Sequence, residues 1–525
     1  MKDAYGESPT NGGAIMYCQG TSSMEYPVKN LRLRFKNSKN WYKVEPNLDN
    51  VEIICMKADY MESSGSHNTG SGNMIDDLYN SMGLRTPGQE HFQEVDSSNK
   101  VTKRIVTAIK GYPCLIFYSP TGEAGTYEYI GKYNLNLDKA TPEPFGFNHD
   151  AADPKFGHLT NELGQLLDVD GQVVDEKGEV VVDKKTGEMS VGGKKLVNSI
   201  FCFEFLDNAI EVCNFLNKAK AYNEDGSADA SAGYYTYDET WYNEFVKDSD
   251  LVPGWALGFE SRYPEDKLGA HDADSLQPLA KWLNTLHSKS NQEEAIEEFK
   301  NNYWKYLDKD FMLVYYLYTE ALLMADSRVK NMMIATWGKE HRYYNAATGE
   351  VRKTAPENMS GWQHHFGYIF YPIFYDMDTM LGLDNTGKYR FNYYDEDYSD
   401  VYNGANVLWN YVRDSFDNRT TKKSYYNKME SSALQVDKTG KTGILNYFNA
   451  HQADKANEAF YNGDAKYKYV NPAVEGYQDL LGKKYIKPGE APYLYAAQGD
   501  RSALREWFIT NRLSFLSGKY ASTKF

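Results

Sequence analysis

Cysteine is scarce in this chain and follows no recognisable spacing. The 525 residues include five cysteines, an odd number, and none occurs as C-x-x-C. This usage indicates neither a disulfide framework nor a zinc site. Four of the five lie in apolar, strand-like runs, where a thiol behaves as a small buried hydrophobe. A reducing compartment is therefore expected.

Basic charge and long apolar runs are also lacking. Acidic residues number 73 against 57 basic ones, which gives a net charge of −16. Nucleic-acid surfaces and anionic membrane surfaces both require basic segments. No stretch approaches the ~18 uninterrupted apolar residues of a membrane-spanning helix, and the first residues carry no apolar core of a secretory signal. We expect no nucleic acid and no membrane as partner, and a cytoplasmic location.

Aromatic residues, by contrast, are abundant. Hydrophobic residues make up 41% and aromatics 15% of the chain, which is typical of a globular protein with more than one hydrophobic centre. Apolar spacing predicts an α+β chain in which a mostly antiparallel sheet precedes helices. The predicted strands are 14–18, 31–36, 51–56, 104–109, 113–118 and 126–135. The predicted helices are 73–82, 276–287, 293–307, 311–325, 404–416, 423–435, 442–463 and 501–517.

These elements divide the chain into four parts. The parts are a sheet-rich lobe (1–165), a set of insertions (166–275), a helical lobe (276–390) and its helical continuation (391–525). The insertions contain a predicted β-hairpin at 166–196 and two aromatic strands, FCFEFLDN and ALGFESRYPE. Glu204, Glu260 and Arg262 end these aromatic strands and are expected to form an ion pair. Residues 338–360 are polar and are predicted to be irregular.

Acidic and amide residues follow two apolar segments of the helical lobe. Asp326 and Asn331 come after the apolar run 311–325, and Asp376 and Asp378 come after a later apolar strand. Protein kinases use D-x-x-x-x-N and a later Asp in this way, as the catalytic base and the metal ligands. The chemistry requires hard oxygen ligands, because Mg²⁺ must neutralise the charge of a transferred phosphoryl group. The competing interpretation is that these residues only cap a helix and open a turn.

A kinase also needs a phosphate-binding loop and a cation. Gly20, Thr21, Ser22 and Ser23 supply backbone N–H groups and hydroxyls for such a loop, although a plain hairpin turn has the same composition. Arg34 and Lys36 lie on one alternating face of a predicted strand and are the candidate cations. The sequence leaves Lys29, Arg32 and Lys57 open as alternatives.

Several separate motifs resemble the CotH family of atypical kinases. They are the segment 326–331 (DSRVKN), the segment 375–382 (YDMDTMLG), Gln19–Ser23 with Tyr26–Asn30, Gly131–Leu135, and the terminal REWFITNRL. The resemblance implies a two-lobed protein-kinase-like fold with an antiparallel sheet N-lobe, a helical C-lobe and insertions. It implies ATP- and Mg²⁺-dependent phosphorylation of protein Ser/Thr. In this scheme Asp326 and Arg328 are catalytic, and Asn331, Asp376 and Asp378 hold the metal.

The chain departs from protein kinases at two positions. Ala325 precedes Asp326 where kinases place an arginine, so we expect Arg328 to pair with Asp326 instead. The helix that would supply a glutamate to the strand lysine carries only Asp76 and Asp77. The adjacent histidines His364 and His365 have no third ligand at a suitable spacing, so zinc is not predicted.

Two other functions compete with a kinase. The first is a non-catalytic assembly module with a kinase-like fold, because the tyrosine- and asparagine-rich segments resemble CotH-like domains of tailed phages. Such a virion or tail component would form oligomers and bind an assembly partner instead of a protein substrate. The second is a carbohydrate-binding or hydrolytic domain, which requires two carboxylates facing each other about 5–10 Å apart.

Overall fold

The structure of the protein is a computed structural model. It describes residues 13–20, 29–59, 66–139, 141–147, 200–206, 258–263, 275–287, 289, 291–324, 326–328, 331–383, 394–398, 407–431, 443–451 and 501–521. The predicted hairpin 166–196 lies outside these residues.

Strands and helices alternate in groups along the chain. The strands are β1 (Ala14–Gln19), β2 (Asn30–Phe35), β3 (Ile53–Lys57), β4 (Glu94–Val95), β5 (Val101–Lys103), β6 (Gly111–Tyr118), β7 (Glu128–Leu137), β8 (Phe201–Leu206), β9 (Gly258–Tyr263), β10 (Met332–Thr336), β11 (Lys339–Asn345), β12 (Glu350–Arg352), β13 (Trp362–Tyr368) and β14 (Tyr371–Phe374). The helices are α1 (His67–Ser81), α2 (Pro87–Phe92), α3 (Gln277–His287), α4 (Gln292–Asn302), α5 (Lys309–Leu322), α6 (Val407–Ser415), α7 (Lys423–Glu430), α8 (Gly443–Ala450) and α9 (Arg501–Leu516).

A five-stranded antiparallel sheet forms the first part of the fold. Its strand order is β1-β2-β3-β7-β6, and α1 follows β3 in the chain. Leu33 of β2 lies opposite Ile54 of β3, and both are buried on the apolar face. The opposite face carries Arg32, Cys55 and Lys57, because side chains alternate along a strand. The sheet therefore has one apolar face and one polar face.

A four-stranded antiparallel sheet lies at the centre of the second part, in the order β14-β10-β8-β9. The two aromatic segments predicted from sequence are β8 and β9, and they pair directly with each other. The expected ion pair is present between Glu204 and Arg262, and Lys139 adds a second contact to Glu204 at 2.7 Å. A smaller sheet, β12-β11-β13, packs beside it.

Helix α5 is the most deeply buried helix of the described chain. Every residue from Phe311 to Leu322 is buried. Asp308 caps its N-terminus by accepting from the N–H groups of Asp310 and Phe311. Tyr315 stacks on Phe374 of β14 at 4.3 Å between ring centroids. The helix thus packs directly against the strand that precedes Asp376.

Glu320 joins α5 to the C-terminal helix. Its carboxylate pairs with Arg328 and with Arg512 of α9, each at 3.2 Å, and it accepts from the N–H of Tyr398 at 3.0 Å. Burial alone would raise the pKa of Glu320, but Arg328, Lys519 and Arg512 together lower it to about 2. The group is therefore ionised and fully paired in the folded state.

Helix α1 is fixed against the segment that precedes β6. Asp76 pairs with Lys110 at 2.7 Å and Arg104 at 2.8 Å, and accepts from the Thr107 hydroxyl at 2.7 Å. Lys110 also donates to the carbonyl oxygen of Gly72 at 2.7 Å. A Cβ at position 72 would lie 1.9 Å from the carbonyl oxygen of Ile109. Only glycine permits this separation between the two backbones.

Three predictions about secondary structure were wrong. Helix α1 begins at His67 and not at residue 73, because Gly70 and Gly72 in its first two turns permit close packing that local propensity does not reveal. Residues 338–360 are not irregular, since β11, β12 and the turn between them occupy most of this range. The predicted strand 104–109 is also absent. That segment makes only an isolated bridge from Ala108 to Phe374.

The remaining predicted strands and helices are present in the described residues, most with ends shifted by a few positions, and the α+β class is confirmed. Residues 432–435 and 452–463 of two predicted helices lie outside the described residues. In the described ranges no helix combines the length and apolar character needed to cross a bilayer.

Replacing Glu320 by Gln tests the buried ion cluster. At pH 7 the substitution should lower the free energy of unfolding by about 3–5 kcal/mol, because Arg328 and Arg512 lose a buried counter-charge. The pKa of Glu320 is lowered in the folded state, so its stabilisation is present above pH 4.5 and is lost as the pH falls towards about 2. The difference between wild type and variant in urea unfolding should therefore shrink between pH 5 and pH 2.

The matched control is Glu293→Gln, at an exposed position in the first turn of α4. It should change the free energy of unfolding by less than about 0.5 kcal/mol at pH 7. Equal losses in the two variants would contradict the assignment of the cluster to Glu320.

Candidate functional site

The pairing of β10 with β14 brings two predicted site residues together. Met332 lies opposite Phe374 in this antiparallel pair. Asn331 immediately precedes β10, and Asp376 follows the end of β14 by two residues. Both residues therefore lie at the same end of the strand pair. Asp376 and Asp378 are two residues apart, a spacing that would place them on one face of a continuing strand. They do not share a strand face, because β14 ends at Phe374.

Three polar residues near this end have left-handed backbone. Asn331 has φ 57°, Asp376 has φ 48° and Asp59 has φ 45°. Non-glycine residues adopt this conformation infrequently, although Asn and Asp tolerate it best. Such residues cost about 1–3 kcal/mol each and cluster at functional sites. The backbone is thus strained at three positions of one small region.

Asp326 contacts Asn331 across the loop between α5 and β10. The side-chain amide of Asn331 donates to Oδ2 of Asp326 at 3.4 Å. The loop begins where Leu323 ends α5 with φ 45°, and the N–H of Leu381 donates to the Leu322 carbonyl at 2.6 Å. The end of α5 is thereby attached to the segment that contains Asp376 and Asp378.

Lys57 is the cation that reaches the acidic residues. Its Nζ lies 3.5 Å from Oδ1 of Asp376, and the side chain is only 10% exposed. Burial alone would lower the pKa of Lys57, but Asp376, Tyr375 and Asp378 raise it well above its usual value. Lys57 therefore remains charged and connects the polar face of the first sheet to the segment after β14.

Asp378 lies among several other carboxylates. Burial and the charges of Asp376, Asp59 and Asp326 raise its pKa well above the usual value, and Lys57 offsets only part of this effect. Asp326 and Asp376, which are 50 residues apart in sequence, thus both act electrostatically on Asp378. In the part of the chain that the structure describes, four carboxyl groups thus influence one another here, and Lys57 lies beside them.

The N-terminus of α1 holds the acidic segment in place. A ring nitrogen of His67 lies 2.8 Å from the carbonyl oxygen of Asp378. The Asn68 side chain accepts from the N–H of Met377 at 2.6 Å and donates to Asp59 at 3.3 Å. These residues were missed at the sequence level. A polar residue in the first turn of a helix carries no pattern that distinguishes a tertiary contact from a cap.

The predicted nucleotide-binding residues occupy different parts of the first sheet. Gln19 lies opposite Asn30, whose side chain accepts from the N–H of Ala58 at 2.8 Å. Gly20, with φ 110°, therefore follows β1 at the end of the sheet where Lys57 lies. Thr21, Ser22 and Ser23 lie outside the described residues.

Arg34 and Lys36 lie at the opposite end of β2. Arg34 is opposite Ile53, which is four residues before Lys57 and about 13 Å from it along the strand. Its guanidinium pairs with Glu52 at 2.9 Å, and Lys36 is exposed. The structure thus brings neither residue to the acidic cluster. Of the cations that the sequence left open, Lys57 contacts the cluster, whereas Arg32 pairs with Asp138 at 2.5 Å.

Arg328 is directed into the helical core. Its Nε donates to Thr319 at 2.8 Å, its Nη2 donates to the carbonyl oxygen of Tyr316, and its Nη1 pairs with Glu320. The guanidinium also lies over the rings of Tyr316 and Tyr398, at 4.3 and 4.2 Å. These contacts give Arg328 a structural role. The predicted pairing of Arg328 with Asp326 was therefore wrong.

The acidic residues of α1 have other partners. Asp76 is paired with Lys110 and Arg104, and Asp77 accepts from the Tyr447 hydroxyl at 2.6 Å. Since α1 is described throughout and contains no glutamate, this helix supplies Lys57 with no glutamate partner. The nearest counter-charge is Asp376.

The two adjacent histidines belong to the β11–β13 sheet. His365 packs on Trp304 and Tyr306, and burial followed by the charge of Lys305 lowers its pKa to about 4. His364 lies 2.9 Å from His341. Within the described ranges, no three His, Cys, Asp or Glu side chains are close enough to enclose a metal ion by themselves.

Substituting Asp378 by Asn tests the repulsion among the carboxylates. The change removes one negative charge while preserving shape, so the free energy of unfolding at pH 8 should rise by about 0.5–2 kcal/mol, as at other strained functional sites. Asp96→Asn is the control, because exposed Asp96 accepts from the backbone of Ser98 and Lys100. It should lower stability or leave it unchanged in the same urea unfolding experiment. A loss of stability in Asp378→Asn would show that this carboxylate is a structural acceptor.

Comparison with other proteins adds no assignment. Neither the protein-family models nor the curated proteins contain a match to this chain.

Proposed function

We propose that this chain is a CotH-like atypical kinase that transfers a phosphoryl group from ATP, with Mg²⁺, to a Ser or Thr hydroxyl of a protein. The observation that carries the proposal is the Lys57–Asp376 pair. It joins the third strand of an antiparallel sheet to the residue that follows an apolar strand. Kinases use a lysine on their third strand and a later aspartate for the phosphates and the metal.

The arrangement of elements supports a two-lobed kinase-like fold. A five-stranded antiparallel sheet precedes the helices α3 to α9, and α1 directly follows the strand that bears Lys57. The candidate site lies between that sheet and the β10–β14 pair. In this proposal Gly20 begins the phosphate-binding loop at the same end of the sheet as Lys57.

The donor atoms fit a magnesium ion. Asn331, Asp376 and Asp378 offer hard amide and carboxylate oxygens near one strand end. Mg²⁺ keeps several waters and usually takes only one or two protein carboxylates together with substrate phosphates. An enclosing cage of three protein ligands is therefore not required. A cation would also relieve the repulsion that raises the pKa of Asp378.

Bound Mg–ATP would supply the phosphoryl group and neutralise the charge that develops on transfer. The residues of the chain would hold the reacting groups in place and accept the proton of the hydroxyl. Lys57 would contact a phosphate oxygen. The Asp326 carboxylate would orient the acceptor hydroxyl and take its proton, held in place by the amide of Asn331.

An assembly module with the same fold is the second candidate. The acidic side chains of α1 favour this candidate. Asp76 pairs with Lys110 and Asp77 accepts from Tyr447, so neither carboxylate of this helix pairs with Lys57. In this case the chain would be a virion or tail component that forms oligomers and binds an assembly partner. It would then bind no ATP, or bind it without turnover.

Nucleotide binding separates the two candidates. ATP with Mg²⁺ at 100–1,000 times its dissociation constant should stabilise the wild-type protein by about 2.7–4.1 kcal/mol, measured as a shift in melting temperature. Asp376→Asn should abolish the shift without unfolding the protein. The matched control Arg34→Gln should retain it, since Arg34 lies far from Lys57.

Turnover is measured separately, as phosphate transfer to a mixed protein substrate or to the chain itself. Asp326→Asn should retain the thermal shift and reduce transfer by about 10²–10⁴-fold, the usual contribution of a general base. A thermal shift with no transfer in wild type would favour the assembly module. No shift in wild type would exclude the kinase proposal.

A further inference from the structure

Strand β1 forms one edge of the first sheet and carries no charge. It ends the strand order β1-β2-β3-β7-β6, and its sequence is AIMYCQ. Ile15 is 49% exposed, Met16 51% and Tyr17 39%. Edge strands are usually protected against a further chain by a charged residue, a proline or a bulge. β1 has none of these, because its pairing with β2 is also regular throughout.

The opposite edge of this sheet is protected. Strand β6 contains Pro113, which has no N–H to donate, and its register with β7 shifts between Ile116 and Phe117. Tyr118 at the end of β6 is 53% exposed, close to the value for Met16. The two edges therefore expose similar apolar side chains, but of the two only β1 offers a regular row of backbone groups to another strand.

The outward backbone groups of β1 belong to alternate residues. The N–H of Lys36 donates to the carbonyl oxygen of Gly13 at 3.4 Å, so Gly13 faces β2. In an antiparallel pair, residues that exchange hydrogen bonds alternate with residues that do not. Ala14, Met16 and Cys18 therefore direct their N–H and C=O groups away from β2. Within the described ranges no other strand pairs with this edge.

A second copy of β1 complements this edge best in one register. When Met16 lies opposite Met16 of the copy in an antiparallel pair, Ala14 lies opposite Cys18 and Ile15 lies opposite Tyr17. Every outward group then meets an outward group, which gives roughly six hydrogen bonds between the copies. A shift of one residue would place outward groups opposite residues that face β2, and these bonds would be lost.

The same register continues both faces of the sheet. Met16 lies beside Leu33 of β2 on the apolar face, and Tyr17 lies beside Arg32 on the polar face. In the paired arrangement the exposed Met16 side chains of the two copies contact each other and extend the apolar face. Ile15 and Tyr17 form cross-strand pairs on the polar face, a β-branched and aromatic combination that stabilises antiparallel strands.

We propose that two copies of the chain associate through β1, in antiparallel register about Met16, and so join their five-stranded sheets into one continuous sheet. This inference goes beyond the proposed function and holds for either candidate. A second copy is the occupant that fits, because the strand matches itself in hydrogen bonding, in the faces it presents and in its lack of charge. The pairing closes with two-fold symmetry, and the protected edge at β6 prevents the addition of further copies.

The size of the contact predicts reversible association. Residues 13–19 span about 24 Å of paired strand, which places the interface at the small end of protein–protein contacts, below about 1,200 Å² in total. Each copy also has a net charge of −16, so the copies repel each other at a distance. Because salt screens this repulsion, association should increase with ionic strength as well as with chain concentration.

The pairing leaves both candidate sites accessible. Gly20 follows β1 at the end of the sheet where Lys57 lies. In the proposed register the Gly20 residues of the two copies lie at opposite ends of the strand pair, about 27 Å apart along the strands. Self-association and nucleotide binding can therefore be measured independently, and the failure of one proposal leaves the other intact.

Sedimentation velocity of the full chain tests the association. The wild type should change from one chain to two as its concentration rises. Met16→Lys should reduce the association constant roughly tenfold or more, because two ammonium groups would lie opposite each other at the two-fold axis. The substitution also lowers the net negative charge, so long-range repulsion cannot explain a loss. Its melting temperature should stay close to the wild-type value, since Met16 is half exposed.

Tyr118→Lys is the matched control, because it makes the same charge change at a similarly exposed position on the opposite edge. It should leave the association constant unchanged. A wild type that stays monomeric at every concentration and salt, or association that Met16→Lys does not weaken more than the control, would overturn the proposal. A monomeric wild type in which the outward N–H groups of β1 resist hydrogen exchange would show instead that another segment covers this edge.

Disulfide formation tests the register. In the proposed pair, position 14 lies about 5.5 Å, Cα to Cα, from Cys18 of the second copy, a separation that a disulfide can bridge. After mild oxidation, Ala14→Cys should therefore run as a covalent dimer on a non-reducing gel, well above the wild-type background. Ile15→Cys should not, because its side chain lies on the other face of the strand. Equal crosslinking of the two variants, or none in either, would overturn the register about Met16.

Discussion

The position of the acidic segment depends on strand β14, which is bonded on both edges. On one edge it pairs with β10. On the other, the N–H of Phe374 donates to the carbonyl oxygen of Thr107, and the N–H of Ile109 donates to the carbonyl oxygen of Phe374, each at 3.3 Å. The rings of Tyr315 and Tyr318 cover Phe374 from α5. Because β14 is fixed in this way, Asp376 leaves it in a defined direction.

The end of that strand is destabilised in two ways, by backbone strain and by electrostatic repulsion. The left-handed backbone of Asn331 and Asp376 is strained, and the carboxylates around Asp378 repel one another. Folded proteins retain such features when surrounding structure stabilises them elsewhere. Here the end of the buried helix α5, which carries the fully paired Glu320, is bonded to that segment through the Leu322 carbonyl oxygen and the N–H of Leu381. The packing and ion pairing of the helical part thus stabilise a region that is unfavourable by itself.

The sequence was most informative where a pattern is local. The apolar spacing of α5, the alternation of β2 and β3, and the D-x-x-x-x-N spacing of Asp326 and Asn331 can all be recognised within one segment. The contacts of His67 and Asn68 with the acidic segment could not be predicted, because they join residues more than 300 positions apart. Lys57 could not be preferred over Arg34 for the same reason. Both are basic residues on neighbouring strands, and only the register decides which one meets Asp376.

The close approach of Gly72 to Ile109 limits how this protein can be regulated. Many proteins change activity when packed helices slide by small amounts past their neighbours. Here backbone meets backbone, and the buried Asp76–Lys110 pair lies one turn further along the same helix. Displacement of α1 would separate that pair inside the core at a cost of several kcal/mol. Because His67 and Asn68 connect α1 to the acidic segment, displacing α1 would also break these contacts, so movement of other segments is the less costly way to open the site.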